Sequence, residues 1–255
     1  MNATNETKIN RLLQLQPSGA IFLSSWMKQN GISYELQRNY IKSGWFVRIA
    51  SGVVIRKGES PSWQSALHSI NHQTSINIHV GAKSALSLQG YAHYLELNEQ
   101  KIELFSPQYE LFPHWFKIFN WNIQLNLNRT NFLTTTKGLM DYKYNQLSFP
   151  VSTPARALLE CLFLSTDDYD LVESYQTLET LTTLLPNEVQ ELLENCNSVK
   201  VIRLFLYMSE KAKHSWFKYL DLSKLEMGKG KRMFSKSGVY IKSHQIIVPK
   251  ALADL

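Results

Sequence analysis

The chain has 255 residues, of which 44% are hydrophobic, so it is long enough for a sizeable core and predicts two domains. Its net charge of +6 is divided into about +5 over residues 1–60, −5 over residues 61–209 and +6 over residues 210–255. This division excludes a uniformly basic protein that coats nucleic acid and predicts two separate electrostatic surfaces.

The first thirty residues predict two short helices around an apolar segment. Ile9, Leu12 and Leu13 have helical spacing over residues 8–15, and a Pro-Ser-Gly break follows. Residues 20–23 are short and apolar. Ser24 or Ser25 is then placed to cap a second helix that ends near residues 30–31.

A third helix is predicted over residues 33–43, after a tight turn at Gly31. The Ser33 hydroxyl is placed to accept a hydrogen bond from an amide of the first turn. Leu36, Tyr40 and Ile41 form the apolar stripe that predicts its buried face. The side chains predicted to point away from this stripe, into a DNA groove, are Tyr34, Gln37, Arg38 and Lys42. Gln and Arg are suited to base edges, and Lys to a phosphate.

A β-hairpin is predicted next, with strands at residues 45–50 and 53–55 and a turn at 51–52. Arg48, Arg56 and Lys57 make it basic, and the last two are expected near its tip. The turn, the cap and the basic hairpin are together typical of a winged helix-turn-helix that binds DNA. The alternative is a small helical domain whose charged face is merely solvated.

Residues 61–150 alternate predicted helices and strands and carry two weak candidates for chemistry. His68 and His72 lie one turn apart on a helix at 63–72, but no third metal ligand follows, so packing or surface roles are favoured. A nuclease would need a cluster such as Glu96, Glu99, Lys101 and Glu103, which is more typical of strand-flanking charges. A short helix is predicted at 82–89, and strands at 75–80, 101–105, 116–127 and within 140–149.

Helices dominate the predictions from residue 151 onward. Pro154 occupies a first helical position, and Arg156 and Glu160 form an i, i+4 pair. Further helices are predicted at 171–185, 187–195 and 199–213. Acidic residues cluster at a helix start, which favours dipole complementarity over a metal or acid–base site; they are Asp167, Asp168, Asp170 and Glu173. Cys161 and Cys196 lie in apolar contexts typical of buried thiols, so a reducing cytoplasm is the expected location.

The tail from residue 214 interleaves aromatic and basic side chains and ends in a predicted strand pair at 239–248. Its run GKGKR at 228–232 lacks the spacing of a nucleotide-hydrolysing loop. Two interpretations stay open, a solvated basic loop and a surface for a partner or a second nucleic acid. The residues of that candidate surface are Lys218, Lys224, Lys229, Lys231 and Arg232.

Several segments, taken in order, resemble one protein family. They are GAIFL at 19–23, GIS at 31–33, LQRNYIKSGW at 36–45, GV at 52–53, AL at 66–67, GAKSALSLQG at 81–90, STPARALLE at 152–160, LY at 206–207 and KGKR at 229–232. Their order and spacing resemble the AbiEi antitoxins of bacterial type IV toxin–antitoxin systems. The resemblance implies a winged-helix domain that represses its own operon by binding promoter repeats. It also implies a larger domain that opposes an AbiEii-type toxin of nucleotidyltransferase fold, and it assigns no catalytic residue.

We therefore predict an α+β fold, with an N-terminal winged helix-turn-helix at residues 1–60 and a larger mixed α/β C-terminal antitoxin domain at residues 61–255. The expected partners are double-stranded promoter DNA and an AbiEii-like nucleotidyltransferase toxin, with no enzymatic activity, cofactor, metal or membrane. The alternative is a stand-alone winged-helix regulator with a ligand-sensing C-terminal domain. The predicted DNA-binding residues are Ser33, Tyr34, Gln37, Arg38, Lys42, Arg48, Arg56 and Lys57.

Overall fold

The structure is a computed structural model that describes residues 7–91 and 101–255. Its first elements follow the winged-helix order, with a β-hairpin after the third helix. They are α1 (Lys8–Gln14), β1 (Ile21–Leu23), α2 (Ser24–Gln29), α3 (Tyr34–Lys42), β2 (Phe46–Ala50) and β3 (Val53–Arg56).

One hydrophobic cluster holds these elements together. Its buried members come from all three helices and from the hairpin; they are Ile9, Leu12, Phe22, Met27, Ile32, Phe46 and Val54. Phe22 and Phe46 meet edge to face with ring centroids 5.1 Å apart, a favoured geometry for aromatic pairs. Leu36, Tyr40 and Ile41 pack against the cluster, so the predicted apolar stripe of α3 is confirmed.

The three strands form an antiparallel sheet of order β1-β3-β2. Side chains of helix α4 (Trp63–Gln73) form hydrogen bonds with the backbone groups of β1 that are not paired with another strand. Ser69 Oγ accepts from the Ile21 amide at 3.0 Å. Gln73 accepts from the Leu23 amide at 2.8 Å and donates to the Ile21 carbonyl at 2.6 Å. An edge strand is therefore capped by polar side chains, which leaves it no free template for pairing.

The rest of the described chain is mixed α/β. Its strands are β4 (His79–Val80), β5 (Lys101–Ser106), β6 (Gln124–Arg129), β7 (Leu139–Tyr144), β8 (Leu147–Ser152), β9 (Arg232–Met233), β10 (Gly238–Ile241) and β11 (Ile246–Pro249). Its helices are α5 (Ala82–Leu88), α6 (His114–Ile118), α7 (Pro154–Leu164), α8 (Asp168–Thr180), α9 (Pro186–Glu194), α10 (Val199–Lys211) and α11 (Lys250–Asp254), with short 3-10 turns at Phe217–Tyr219 and Leu222–Lys224.

The chain divides into two compact units. The first comprises Met1–His79, Gln108–Gln124 and Asp141–Pro150, and the second comprises Val80–Pro107, Leu125–Met140 and Val151–Leu255. Strands β4 to β8 form a five-stranded sheet of order β6-β5-β4-β8-β7. A second three-stranded sheet has the order β10-β11-β9.

The long strand predicted at residues 116–127 was wrong in its first half. Residues 114–118 form α6, and β6 begins only at Gln124. Pro113, with φ −55°, occupies the helix N-cap. Aromatic rings pack together around α6; they are Phe112, Trp115, Phe116, Phe119 and Trp121. The strand predicted at 75–80 is likewise limited to His79–Val80.

Helix α7 lies at the centre of the second unit, where eight consecutive residues from Ala155 to Leu162 are buried. The predicted Arg156–Glu160 pair is confirmed at 3.0 Å, and both side chains are buried. The Glu160 carboxylate also accepts from the Ala82 amide at 2.9 Å and the Ser152 hydroxyl at 2.8 Å. One carboxylate therefore joins α5, β8 and α7.

Both cysteines are buried and free, as predicted from their apolar contexts. Burial raises the pKa of Cys196 to about 11, and burial raises that of Cys161 further. Because the thiolate is the reactive form, both thiols should be inert at neutral pH.

His68 is a packing residue with both ring nitrogens engaged. Nε2 lies 3.2 Å from Gln16 Oε1, and Nδ1 lies 2.9 Å from the Ser148 carbonyl. Its ring stacks on His72, with centroids 4.2 Å apart. Burial lowers the pKa of His68 below its ordinary value, although the Ser148 hydrogen bond opposes this shift.

Acidification should therefore destabilise the protein in part through His68. Below the ordinary histidine pKa the unfolded chain binds a proton that folded His68 resists, so the free energy of unfolding falls as pH falls. We expect His68→Gln to flatten the loss of stability between about pH 7.5 and 5.5 in urea titrations. Burial also lowers the pKa of His244, so part of the dependence of stability on pH should remain in the variant. His114→Gln, at an exposed position, is the control; an unchanged slope in His68→Gln would contradict this assignment.

Candidate nucleic-acid interface

A helix–turn–helix places α3 on the surface of the first unit. Gly31 has φ +82°, a left-handed conformation that favours glycine. The chain then turns so that the Ile32 amide donates to the Met27 carbonyl at 3.0 Å. The Ser33 hydroxyl accepts from the Leu36 amide at 3.2 Å, as the predicted N-cap requires.

One side of α3 is a continuous exposed arc. Since each helical residue turns the side chain by about 100°, five positions fall within an arc of about 140°. All five are exposed, and they are Tyr34, Glu35, Arg38, Asn39 and Lys42. Lys28 of α2 lies 5.1 Å from the ring centroid of Tyr34 and adds a cation beside the arc. The arc therefore presents Tyr34, Arg38, Asn39 and Lys42 together with Lys28, and Glu35 is its one acid.

Gln37 does not belong to this arc, and its predicted role in reading bases is wrong. The side chain is only 6% exposed. Its amide nitrogen donates to the Ser24 carbonyl at 3.0 Å and to the Ile32 carbonyl at 2.9 Å. On the helical wheel position 37 falls between Tyr40 and Ile41, which are partly buried against the hydrophobic cluster. The same wheel identifies Asn39, which the sequence interpretation missed, as the exposed amide.

The hairpin also differs from its prediction. Its tip is the turn at Ser51 and Gly52, where the Gly52 carbonyl accepts from the Ser24 amide at 2.8 Å. Arg56 and Lys57 lie at the opposite end of the hairpin, because Arg56 pairs with Phe46 at the start of β2. The prediction that these two cations lie near the tip was therefore wrong.

Arg56 has a structural role that sequence spacing did not indicate. Its Nη2 donates to the Leu13 carbonyl at 2.7 Å and to the Gln16 carbonyl at 2.6 Å, at the end of α1. The guanidinium also lies 5.5 Å from the Phe22 ring centroid. These contacts leave Arg56 poorly placed for a phosphate, which corrects its assignment to DNA. Arg48 and Lys57 are exposed.

The predicted basic residues of the tail fall into two groups in the second unit. Lys218 and Lys224 lie on the two 3-10 turns. Lys218 Nζ lies 5.0 Å from the ring centroid of Tyr219, and Lys224 Nζ lies 3.6 Å from Asp221 Oδ2. Lys229 and Lys231 lie on the loop that enters β9, and Arg232 is the first residue of that strand. All five cations are exposed.

Arg203 anchors the loop of the second group and was missed by the sequence interpretation. It is 2% exposed on α10 and donates to the carbonyls of Met227 at 2.7 Å, Gly228 at 3.1 Å and Gly230 at 2.7 Å. A fourth bond reaches Gln245 at 3.2 Å. An arginine inside the otherwise apolar run of residues 201–208 was the available signal, since such a buried charge must be satisfied.

The nuclease alternative gains no support from the described residues. Glu96 and Glu99 lie outside them, and the Glu103 carboxylate accepts from Asn126 at 2.6 Å and from Asn128 at 2.7 Å. Within residues 7–91 and 101–255, no group of three or more His, Cys, Asp or Glu side chains is placed to hold a metal ion.

Two family profiles match the chain. One, described as "Transcriptional regulator, AbiEi antitoxin, Type IV TA system", matches residues 99–249. The other, described as the AbiEi antitoxin N-terminal domain of a transcriptional regulator, matches residues 5–97. The chain belongs to the AbiEi antitoxin family. Its resemblance to that family, predicted from ordered sequence segments, is confirmed.

A solved structure supports the fold of this AbiEi-family chain. It is the crystal structure of the RV2827C protein from Mycobacterium tuberculosis, which matches with a TM-score of 0.59 and 14% sequence identity. The match covers 96% of this chain and 92% of that one. No curated protein matches the sequence significantly. The likeness shows the fold alone, and the predicted α+β class with an amino-terminal winged helix is confirmed.

None of the described helices combines the length and the apolar character needed to cross a bilayer.

Proposed function

We propose that this AbiEi-family protein is an antitoxin that represses its own operon. In this proposal the exposed arc of α3 enters the major groove of promoter DNA, and residues 61–255 oppose an AbiEii-type nucleotidyltransferase toxin. The winged-helix module of residues 1–60 accounts for DNA binding. The protein itself has no enzymatic role and works in the cytoplasm.

The arc of α3 is the observation that carries the DNA-binding part. Arg38 is suited to guanine and Asn39 to adenine, because each can form paired hydrogen bonds to a base edge. Tyr34 and Lys42 lie at the two ends of the same face and are suited to backbone contacts that fix the helix in the groove. The Ser33 cap sets the direction of the helix end.

The hairpin supports the same docking. Arg48 lies on β2 and Lys57 directly follows β3, and both side chains are exposed. They are therefore suited to contact phosphates that flank the groove. Gln37 and Arg56 contribute indirectly, since they hold the α2–α3 turn and α1 in place.

Antitoxin activity is testable by co-expression with the adjacent gene. We expect expression of that gene alone to arrest growth and expression of both genes to restore it. Arg38→Ala/Lys42→Ala, expressed from an independent promoter, should also restore growth because the variant retains residues 61–255. A stand-alone regulator with a ligand-sensing domain would restore nothing, and that result would contradict antitoxin activity without affecting DNA binding.

A further inference from the structure

The sheet of order β10-β11-β9 exposes an apolar and basic face. Tyr240 pairs with Ile247, which pairs with Met233, so the three side chains share one row across the sheet. Tyr240 is 46% and Met233 is 64% exposed. Lys231 has the same strand parity as Met233, and its Nζ lies 4.9 Å from the Tyr240 ring centroid. We call these four residues the Tyr240 face.

The face is rigidly supported from below. Ile246 and Val248, the neighbours of Ile247 in β11, are fully buried on the opposite side of the sheet. The Arg203 guanidinium turns the carbonyls of Met227, Gly228 and Gly230 inward. The exposed side chains of Lys229 and Lys231 are therefore presented by a preformed loop rather than by a free tail.

The segment that carries the face is basic, and the acids beside it come from other elements: Asp168 accepts from the Ser235 hydroxyl at 3.1 Å, and Glu210 lies 3.6 Å from His244. The segment from residue 227 to residue 253 contains no Asp or Glu. Its six cations are Lys229, Lys231, Arg232, Lys236, Lys242 and Lys250. An acidic protein surface would also meet the charge, but an exposed ring with a lysine held 4.9 Å from its centroid matches a stacked base next to a phosphate more closely. A nucleic-acid duplex would leave the ring unused, because its bases are stacked inside.

We propose that the Tyr240 face binds single-stranded nucleic acid. An unpaired base stacks on the Tyr240 ring, with Met233 and Ile247 as the apolar floor, and Lys231 moves from the ring to the adjacent phosphate. Lys229 follows the backbone. Stacking on an aromatic side chain combined with nearby cations is the general chemistry of single-strand binding. This site goes beyond the proposed promoter contact of α3.

The test uses the full chain with Arg38→Ala/Lys42→Ala, so that the proposed duplex contact is removed. Fluorescence anisotropy is measured with labelled oligouridylate and oligothymidylate of about 12 nucleotides, and with a duplex of unrelated sequence and equal length. We expect at least one single strand to bind about tenfold more tightly than the duplex. Tyr240→Ala should weaken that binding about tenfold, whereas Tyr240→Phe should stay within about twofold because it keeps the ring.

Matched variants decide whether the effect is local. Tyr169→Ala removes a tyrosine of α8 that is 67% exposed, more than Tyr240, and should leave binding unchanged. Lys231→Ala should weaken binding and lower the salt dependence, whereas Lys143→Ala, at an exposed position of β7, should weaken it less. Binding of both oligouridylate and oligothymidylate, or of only one of them, supports the proposal that the ligand is a strand with unpaired bases. Equal binding of the duplex, unchanged binding by Tyr240→Ala, or no binding of either strand would overturn the proposal.

Discussion

Replacement of Glu160 by Ala is expected to lower the free energy of unfolding by about 3–5 kcal/mol. The substitution leaves the buried Arg156 guanidinium without its carboxylate, although Arg156 still donates to the Thr135 and Lys137 carbonyls at 2.8 Å each. It also leaves the Ala82 amide and the Ser152 hydroxyl without their acceptor. A buried charge that loses its partner costs far more than the net gain from the intact pair.

Urea unfolding of the wild type and Glu160→Ala measures this loss. Glu191→Ala is the matched control, because Glu191 pairs with Lys137 at 3.4 Å but both side chains are nearly half exposed. The control should lose less than about 1 kcal/mol. Equal losses in the two variants would show that burial of the Arg156–Glu160 pair does not set its contribution.

Gly81 shows how closely the carboxylate is packed. A Cβ at Gly81 would lie 2.2 Å from Glu160 Oε2 and 2.5 Å from a ring carbon of Phe105. No side chain larger than the hydrogen of glycine fits that position unless the ion pair or the ring moves. The sequence motif at 81–90 therefore has a packing reason for its first glycine.

Signals that act over a few residues made the fold predictable. Ser33 caps α3 through an amide three residues away, and Pro154 starts α7 at a position that needs no amide donor. The alternation of residues 45–55 likewise predicted the hairpin, because the side-chain period of a strand is local. These elements required no knowledge of distant partners.

The missed assignments depend on partners far along the chain or on helical geometry. Arg56 and Arg203 look like surface cations in sequence, but their guanidinium groups bind backbone carbonyls about 40 and 24 to 42 residues away. Gln37 was assigned by residue type, whereas its angular position between Tyr40 and Ile41 already placed it inside. Composition identifies the candidate residues of a site, whereas the fold determines where their side chains point.

Loss of the two exposed cations of α3 should have the largest effect on DNA binding. We expect Arg38→Ala/Lys42→Ala to weaken binding of promoter DNA about 100-fold, because a base contact by Arg38 is worth about 1–3 kcal/mol and a phosphate contact by Lys42 adds to it. The dependence of log affinity on log salt should fall by about one. Both side chains are exposed, so the fold should be unaffected.

The control for this variant removes the same charge elsewhere. Lys117→Ala/Lys143→Ala changes two exposed lysines of α6 and β7. It should weaken promoter binding by no more than about threefold, through the lower net charge alone. Circular dichroism and urea unfolding of all three proteins establish that any loss of binding does not come from unfolding.

The most direct test of the account is a titration of promoter DNA with the wild type, Arg38→Ala/Lys42→Ala and Lys117→Ala/Lys143→Ala, at three salt concentrations. DNA of unrelated sequence is titrated in parallel. We expect the wild type and the control to prefer promoter DNA, and the α3 variant to lose both the preference and about 100-fold in affinity. Promoter binding by the α3 variant equal to that of the wild type would contradict the assignment of α3 to DNA.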